Sequence, residues 1–109
     1  MKNTIKNFIK RHALEDFPNE CCGFIVKDNK KIKCIKTKNI SKQKNNFFKI
    51  SIGDFLNIKH NYNILYIYHS HTIDNNEFSG LDKSCANYLM LDMVLYNIKQ
   101  DQFNYFKCK

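Results

Sequence analysis

Two histidines, a serine and an aspartate stand in the order His69-Ser70-His71, seven residues, Ser79, two residues, Asp82. The histidines follow the apolar run Ile64-Leu65-Tyr66-Ile67, which reads as a buried strand, so they fall at or just past its end. Side chains two apart on a strand share a face, and both imidazoles can therefore reach one metal ion. A helical pattern starts at Asp82 and continues through Cys85, Ala86, Leu89 and Met90. Ser79 and Asp82, three apart, then lie on one side of its first turn. Two imidazoles, one carboxylate and an open fourth position make the donor set of a catalytic rather than a structural zinc site.

Each part also has a plainer reading. A strand end with one satisfied and one solvated histidine is common. Ser-x-x-Asp is the form of a capping box, in which the serine covers free N–H groups at a helix start. The chain carries its own comparison, Ser51-Ile52-Gly53-Asp54, with the same form and no histidines nearby. The joint pattern is rarer: at this composition it arises by accident in roughly one chain in a few thousand.

The elements that must position these residues follow from periodicity. Ile5, Phe8, Ile9, His12 and Ala13 recur at helical spacing over residues 3–15, opposite Lys2, Lys6, Lys10 and Arg11, which predicts an amphipathic helix covering a sheet. Pro18 stops its continuation. The run from Cys21 to Val26 reads as the first core strand. Asp28-Asn29-Lys30 is turn chemistry, and Ile32, Cys34 and Ile35 among lysines make a half-exposed partner, so the two form a hairpin. Residues 37–46 read as a solvated loop with Ile40 as an apolar plug. Phe47, Phe48 and Ile50 read as a short strand, and Ser51 as the cap of a helix carrying Ile52, Phe55 and Leu56. After the histidine strand comes a helix from Asp82 to about Leu91, then strands over Met93–Ile98 and Phe103–Cys108. The expected fold is α/β, a mixed sheet flanked by helices, formed by residues 1–109 as one domain.

Composition narrows the function. With 109 residues, 43% hydrophobic and rich in Phe and Tyr, the chain can bury one modest core and is not a disordered tail. It has no apolar run long enough to span a membrane, and its lysine-rich start lacks the apolar segment of a secretory signal, so the cytoplasm is the expected compartment. Five cysteines without a CxxC pair suit free thiols better than a disulfide frame. The net charge of +8 raises the question of nucleic acid. But the basic residues are nearly all lysine, Arg11 being the only arginine, and they read as dispersed along the chain, whereas base recognition favours arginine forks on a defined patch.

Glu20 after Pro18, the Cys-Cys-Gly strand behind it, and His69, His71, Ser79 and Asp82 at their spacing resemble the JAMM (MPN+) metallopeptidase family. The nearest likeness is its short bacterial and phage branch, found in tail-assembly proteins. The resemblance implies a layered, cytidine-deaminase-like architecture with Zn2+ held by His69, His71 and Asp82. It implies Glu20 as general base and Ser79 as hydrogen-bond donor to the oxyanion. The chemistry of the residues agrees: zinc brings the pKa of bound water to about 7, and a carboxylate off the metal must move that proton. Glu20 is better placed for this than Glu15 in the first helix or Glu77 in the loop. Asp74 is the alternative ligand should Asp82 turn away. The implied partner is a protein or peptide substrate, a ubiquitin-like or sulfur-carrier protein or a tail component, cleaved at a peptide or isopeptide bond. A non-catalytic tail-assembly scaffold on the same fold is the alternative, and a nucleic-acid binder a weaker one. The family often has proline after the second histidine, where this chain has Thr72.

Overall fold

The apolar runs of the sequence pair into one five-stranded sheet, ordered β2-β1-β3-β4-β5, in a computed structural model that describes residues 1–109. The elements are α1 (Asn3–Asp16), β1 (Cys22–Asp28), β2 (Lys31–Thr37), α2 (Ile52–Asn61), β3 (Asn63–His71), α3 (Gly80–Leu89), β4 (Asp92–Asn97) and β5 (Gln102–Phe106). β3 and β4 are parallel, with α3 as their connection, and the other neighbours are antiparallel. This is the mixed, layered α/β architecture expected from the sequence. β1 and β2 form the expected hairpin around Asn29, which takes the left-handed conformation (φ 57°) that asparagine tolerates.

Helices cover both faces. On one, Ile5, Ile9 and Ala13 of α1 pack on Ile25, Tyr68, Val94 and Tyr96. On the other, Ile58 of α2 and Ala86 of α3 pack on Phe24, Val26, Ile67 and Met93. Each such side chain taken wholly from water contributes about 1.5–3 kcal/mol for a large aliphatic residue, so the sheet is fixed from both sides. No helix is long and apolar enough to cross a membrane.

One local feature decides which way the histidines point. Val26 of β1 pairs with Ile64, but Ile25 pairs with Tyr66, so Leu65 is an extra residue in β3. Leu65 and Tyr66 consequently line the same cavity with Ile5 on the α1 side. A one-residue shift moves every later side chain to the other face of a strand. The bulge thus puts Ile67, His69 and His71 on the face that α3 covers and sends Tyr68 and Ser70 towards α1.

Three expectations are corrected. Phe47, Phe48 and Ile50 do not form a strand. Two backbone bonds tether this segment, from Ile40 N–H to the Lys49 carbonyl (2.9 Å) and from Phe47 N–H to the Gln43 carbonyl (2.9 Å), and neither belongs to a ladder. The Asn39 side chain takes the polar groups a ladder would have used, donating to the Phe47 carbonyl (2.9 Å) and accepting from Lys49 N–H (3.1 Å). Phe48 and Ile50 pack against the core under α2 and α3, and Ile40 stands 45% exposed rather than plugged in. The helix expected to reach Leu91 stops at Leu89, because Met90 is left-handed (φ 56°) and Leu91 N–H returns to the Ala86 carbonyl (3.0 Å), a Schellman-type closure.

Candidate metal centre

The site lies at the carboxyl end of the parallel pair β3–β4, beside the first turn of α3. Ser79 caps α3: its hydroxyl accepts from Asp82 N–H (3.0 Å), and its own N–H donates to Asp82 Oδ2 (2.9 Å). The capping box is therefore real, and it also aims a carboxylate. The same Oδ2 lies 3.1 Å from His69 Nε2 and 3.4 Å from His71 Nε2. Ser51 and Asp54 make the equivalent serine-to-N–H bond (3.1 Å) at α2, with no histidine in reach.

For His71 a hydrogen bond fixes which nitrogen is free. His71 Nδ1 is 2.9 Å from the Asn75 carbonyl; a carbonyl only accepts, so Nδ1 carries the proton and Nε2 keeps its lone pair. Asn97, fully buried in β4, donates from Nδ2 to the carbonyls of Ile73 (2.9 Å) and Asn75 (2.7 Å) and so holds that loop. The His69 ring is sealed from water, stacked on Phe48 at 4.6 Å between centroids, and its Nδ1 has no partner.

Glu20 completes the cluster. Its carboxylate and one nitrogen each of His69 and His71 lie within 4.8 Å of one another, all three residues buried. Burial, with help from the Asp82 charge, pushes the Glu20 carboxyl up to about 8, while His71 opposes the shift. Burial likewise lowers the pKa of His69, so its contact with Asp82 is made by a neutral ring and is not an ion pair. For His71, burial acts downward but the bonds to Asp82 and Asn75 outweigh it and the net shift is upward. Burial would raise Asp82, yet the two imidazoles and the Ser79 N–H hold it well below the ordinary carboxylate range.

These residues fit a divalent cation. Bonds of 2.0–2.1 Å in a tetrahedron put neighbouring donors about 3.3–3.4 Å apart, close to the two spacings measured from Asp82 Oδ2. Two imidazole Nε2 atoms, which give up any proton on binding a metal, and an ionised carboxylate are the donor types such an ion takes, and Glu20 can move a proton near neutral pH. The sequence-predicted residues Glu20, His69, His71, Ser79 and Asp82 are thus brought together. Asp74 is not: it stands exposed on the loop and accepts from Gln100. Ser70 points to the opposite face, where its hydroxyl accepts from Cys21 N–H (2.8 Å). Burial raises the thiols of Cys21 and Cys22 to about 12, so neither is a nucleophile.

Sequence reasoning did not find Asn97, Asn75, Phe48 or Asn39. A lone asparagine closing the apolar run Met93–Tyr96 was a signal for Asn97; Asn75 acts through its backbone and leaves no signal. Thr72, the departure from proline, donates from its hydroxyl to the Asn45 carbonyl (3.0 Å), a bond proline could not make.

A family model described as prokaryotic homologs of the JAB domain matches residues 4–108. Among solved structures, the solution structure of protein DSY2949 from Desulfitobacterium hafniense is similar, with a TM-score of 0.73 and 17% identity over 99% of this chain and 89% of that one. At that identity the likeness speaks for the fold alone. No curated protein matches the sequence.

Proposed function

Since the chain belongs to the family of prokaryotic homologues of the JAB domain, which includes metalloisopeptidases, we propose that it is a zinc-dependent peptidase or isopeptidase working as one domain. The observation that carries this reading is the convergence of both Nε2 atoms on Asp82 Oδ2 at 3.1 and 3.4 Å, beside a buried Glu20. A scaffold needs no such base, since an unused buried carboxyl costs stability.

His69, His71 and Asp82 would hold the ion. Bound there, zinc would acidify a water molecule and polarise the scissile carbonyl. Glu20 takes the water's proton and delivers it to the leaving amine, a task suited to a carboxyl raised towards neutrality. The Ser79 oxygen accepts from Asp82 N–H, which leaves its own proton free to donate to the developing oxyanion. Asn97 and Asn75 keep His71 oriented. The bond cleaved would be at the C-terminus of a ubiquitin-like or sulfur-carrier protein or in a tail component, in the cytoplasm, where the five free cysteines stay reduced.

Metal analysis and cleavage of an isopeptide-linked ubiquitin-like fusion, with wild type beside His71→Ala and Glu20→Gln, test this. We expect about one zinc in the wild type, none in His71→Ala, and metal retained without hydrolysis in Glu20→Gln. Stoichiometric zinc in His71→Ala would reject the ligands, and unchanged cleavage in Glu20→Gln the base.

A further inference from the structure

The lysines that read as dispersed in the sequence are concentrated in one region. Residues 27–49, from the end of β1 through β2 and the following loop, hold nine lysines against the single Asp28, a net +8. This equals the charge of the whole chain; the other 86 residues carry nine basic and nine acidic side chains. Lys33 and Lys36 are paired with Asp28 and Glu15, but Lys38, Lys42, Lys44 and Lys49 have no carboxylate within ion-pair distance.

The loop that carries these four is tied to the metal cluster from both sides. Glu20 N–H donates to the Lys44 carbonyl (2.7 Å), and the Asn39 side chain donates to the Glu20 carbonyl (3.0 Å). Thr72, next to His71, donates to the Asn45 carbonyl (3.0 Å). A cleft of about 1170 Å³ opens there, lined by Glu20, Thr37, Lys38, Asn39 and Lys44 among others. Glu20 is thus shared between the cleft and the histidine cluster. β2 is an edge strand, so its outer N–H and C=O groups are free to pair with an extended peptide.

We propose that Lys38, Lys42 and Lys44 form the docking rim for an acidic segment of the protein substrate, which lies along the free edge of β2 and brings its scissile bond to the histidine cluster. This rests on the peptidase reading and adds the class of substrate. Lysines on an edge strand also guard against edge pairing, but these three lie beyond the strand. A nucleic acid fits less well. Its closely spaced phosphates could not avoid Glu15, Asp16 and Asp54, which line the same cleft, whereas a peptide can place its carboxylates opposite the lysines alone.

The test is binding, not cleavage, so it stands apart from the catalytic assay. The zinc-loaded 109-residue protein is titrated at low and physiological salt with a fluorescent alternating Glu–Gly peptide, and separately with oligothymidylate of equal charge. Amide shifts locate the peptide. The triple change Lys38→Gln, Lys42→Gln, Lys44→Gln is compared with Lys59→Gln, Lys107→Gln, Lys109→Gln, an equal loss of charge at exposed sites away from the cleft. We expect the rim triple to weaken peptide binding about tenfold or more and the control less than about twofold, with shifts over Glu20 and residues 37–49. Equal losses in both triples, no peptide binding at low salt, or tighter binding of the oligonucleotide at the same residues would each overturn the proposal.

Discussion

Substituting Gly23 by alanine should strongly destabilise the protein, and the reason is a close approach of three elements. A Cβ at Gly23 would stand 2.3 Å from the Ile35 carbonyl oxygen and 2.6 Å from both Cε2 and the hydroxyl of Tyr68. The oxygen belongs to β2 and cannot swing aside, so the hairpin must splay. Tyr68 must leave its place across β1, where its hydroxyl sits 2.7 Å from His12 Nδ1. His12 Nε2–H is given to Asp16 (3.2 Å), so Nδ1 accepts and Tyr68 donates. Overpacking costs about 1–3 kcal/mol, and breaking the buried Tyr68–His12 bond with both groups left unpaired adds about 1–3. A total of about 2–6 kcal/mol is a large part of the 5–15 kcal/mol that holds a domain together and corresponds to a Tm lower by roughly 10–25 °C. Because Tyr68 immediately precedes His69, zinc affinity should fall with it. Urea unfolding and thermal melts measure the loss. Adding Tyr68→Phe removes the hydroxyl clash but not that with the Ile35 carbonyl, so the two changes should couple by about 1 kcal/mol or more. A Gly23→Ala protein within about 1 kcal/mol of wild type and fully zinc-loaded would show the close packing argued here to be wrong.

Four further outcomes follow. Ser79→Ala and Ser51→Ala each remove a helix cap and should each cost about 1 kcal/mol, but calorimetric zinc titration should find weakened binding only in Ser79→Ala, where Asp82 loses half its clamp. Zinc at a hundredfold excess over Kd should stabilise the wild type by about 2.7 kcal/mol and raise its melting temperature accordingly, and chelator should reverse it; an equal rise in Asp82→Asn would count against that ligand. Met90→Gly should stabilise by about 0.5–1 kcal/mol in urea unfolding, since it relieves a left-handed residue that is 75% exposed and packs little. The pKa of His12 is lowered, chiefly by burial. Its native form therefore binds fewer protons than the unfolded chain just below about pH 6.5, so His12, like His69, lowers stability as pH drops through that value, while Glu20 and His71, shifted upward, raise it. In chelator, His12→Gln should therefore lose less stability, or gain more, than the wild type between about pH 7.5 and about pH 5.5 in urea unfolding, and an unchanged difference across that range would refute the His12 shift.

The sequence was most legible where one residue type has one physical use. Period-two and period-3.6 patterns indicated the sheet and all three helices; Ser51 marked the start of α2, while α3, read as starting at Asp82, begins two residues earlier at Gly80. Legibility failed where the outcome depends on a partner distant in sequence. The Phe47–Ile50 strand failed because Asn39, eight or more residues earlier, satisfies the backbone there. The charge of residues 27–49 looked dispersed because lysines spread along a linear chain gather only when the hairpin and its loop fold onto Glu20. The facing of the histidines lay beyond reading altogether: in an apolar run such as Ile64–Ile67 nothing says which residue is the extra one. Yet the site turns on that bulge. Without Leu65 in excess, His69 and His71 would face α1, and the Asp82 carboxylate, however well capped, would aim at nothing, as Asp54 does. The motif therefore works as a conjunction of two independent local choices, a register on β3 and a cap on α3. Their spacing along the chain records that both are present, while only the fold shows that they meet.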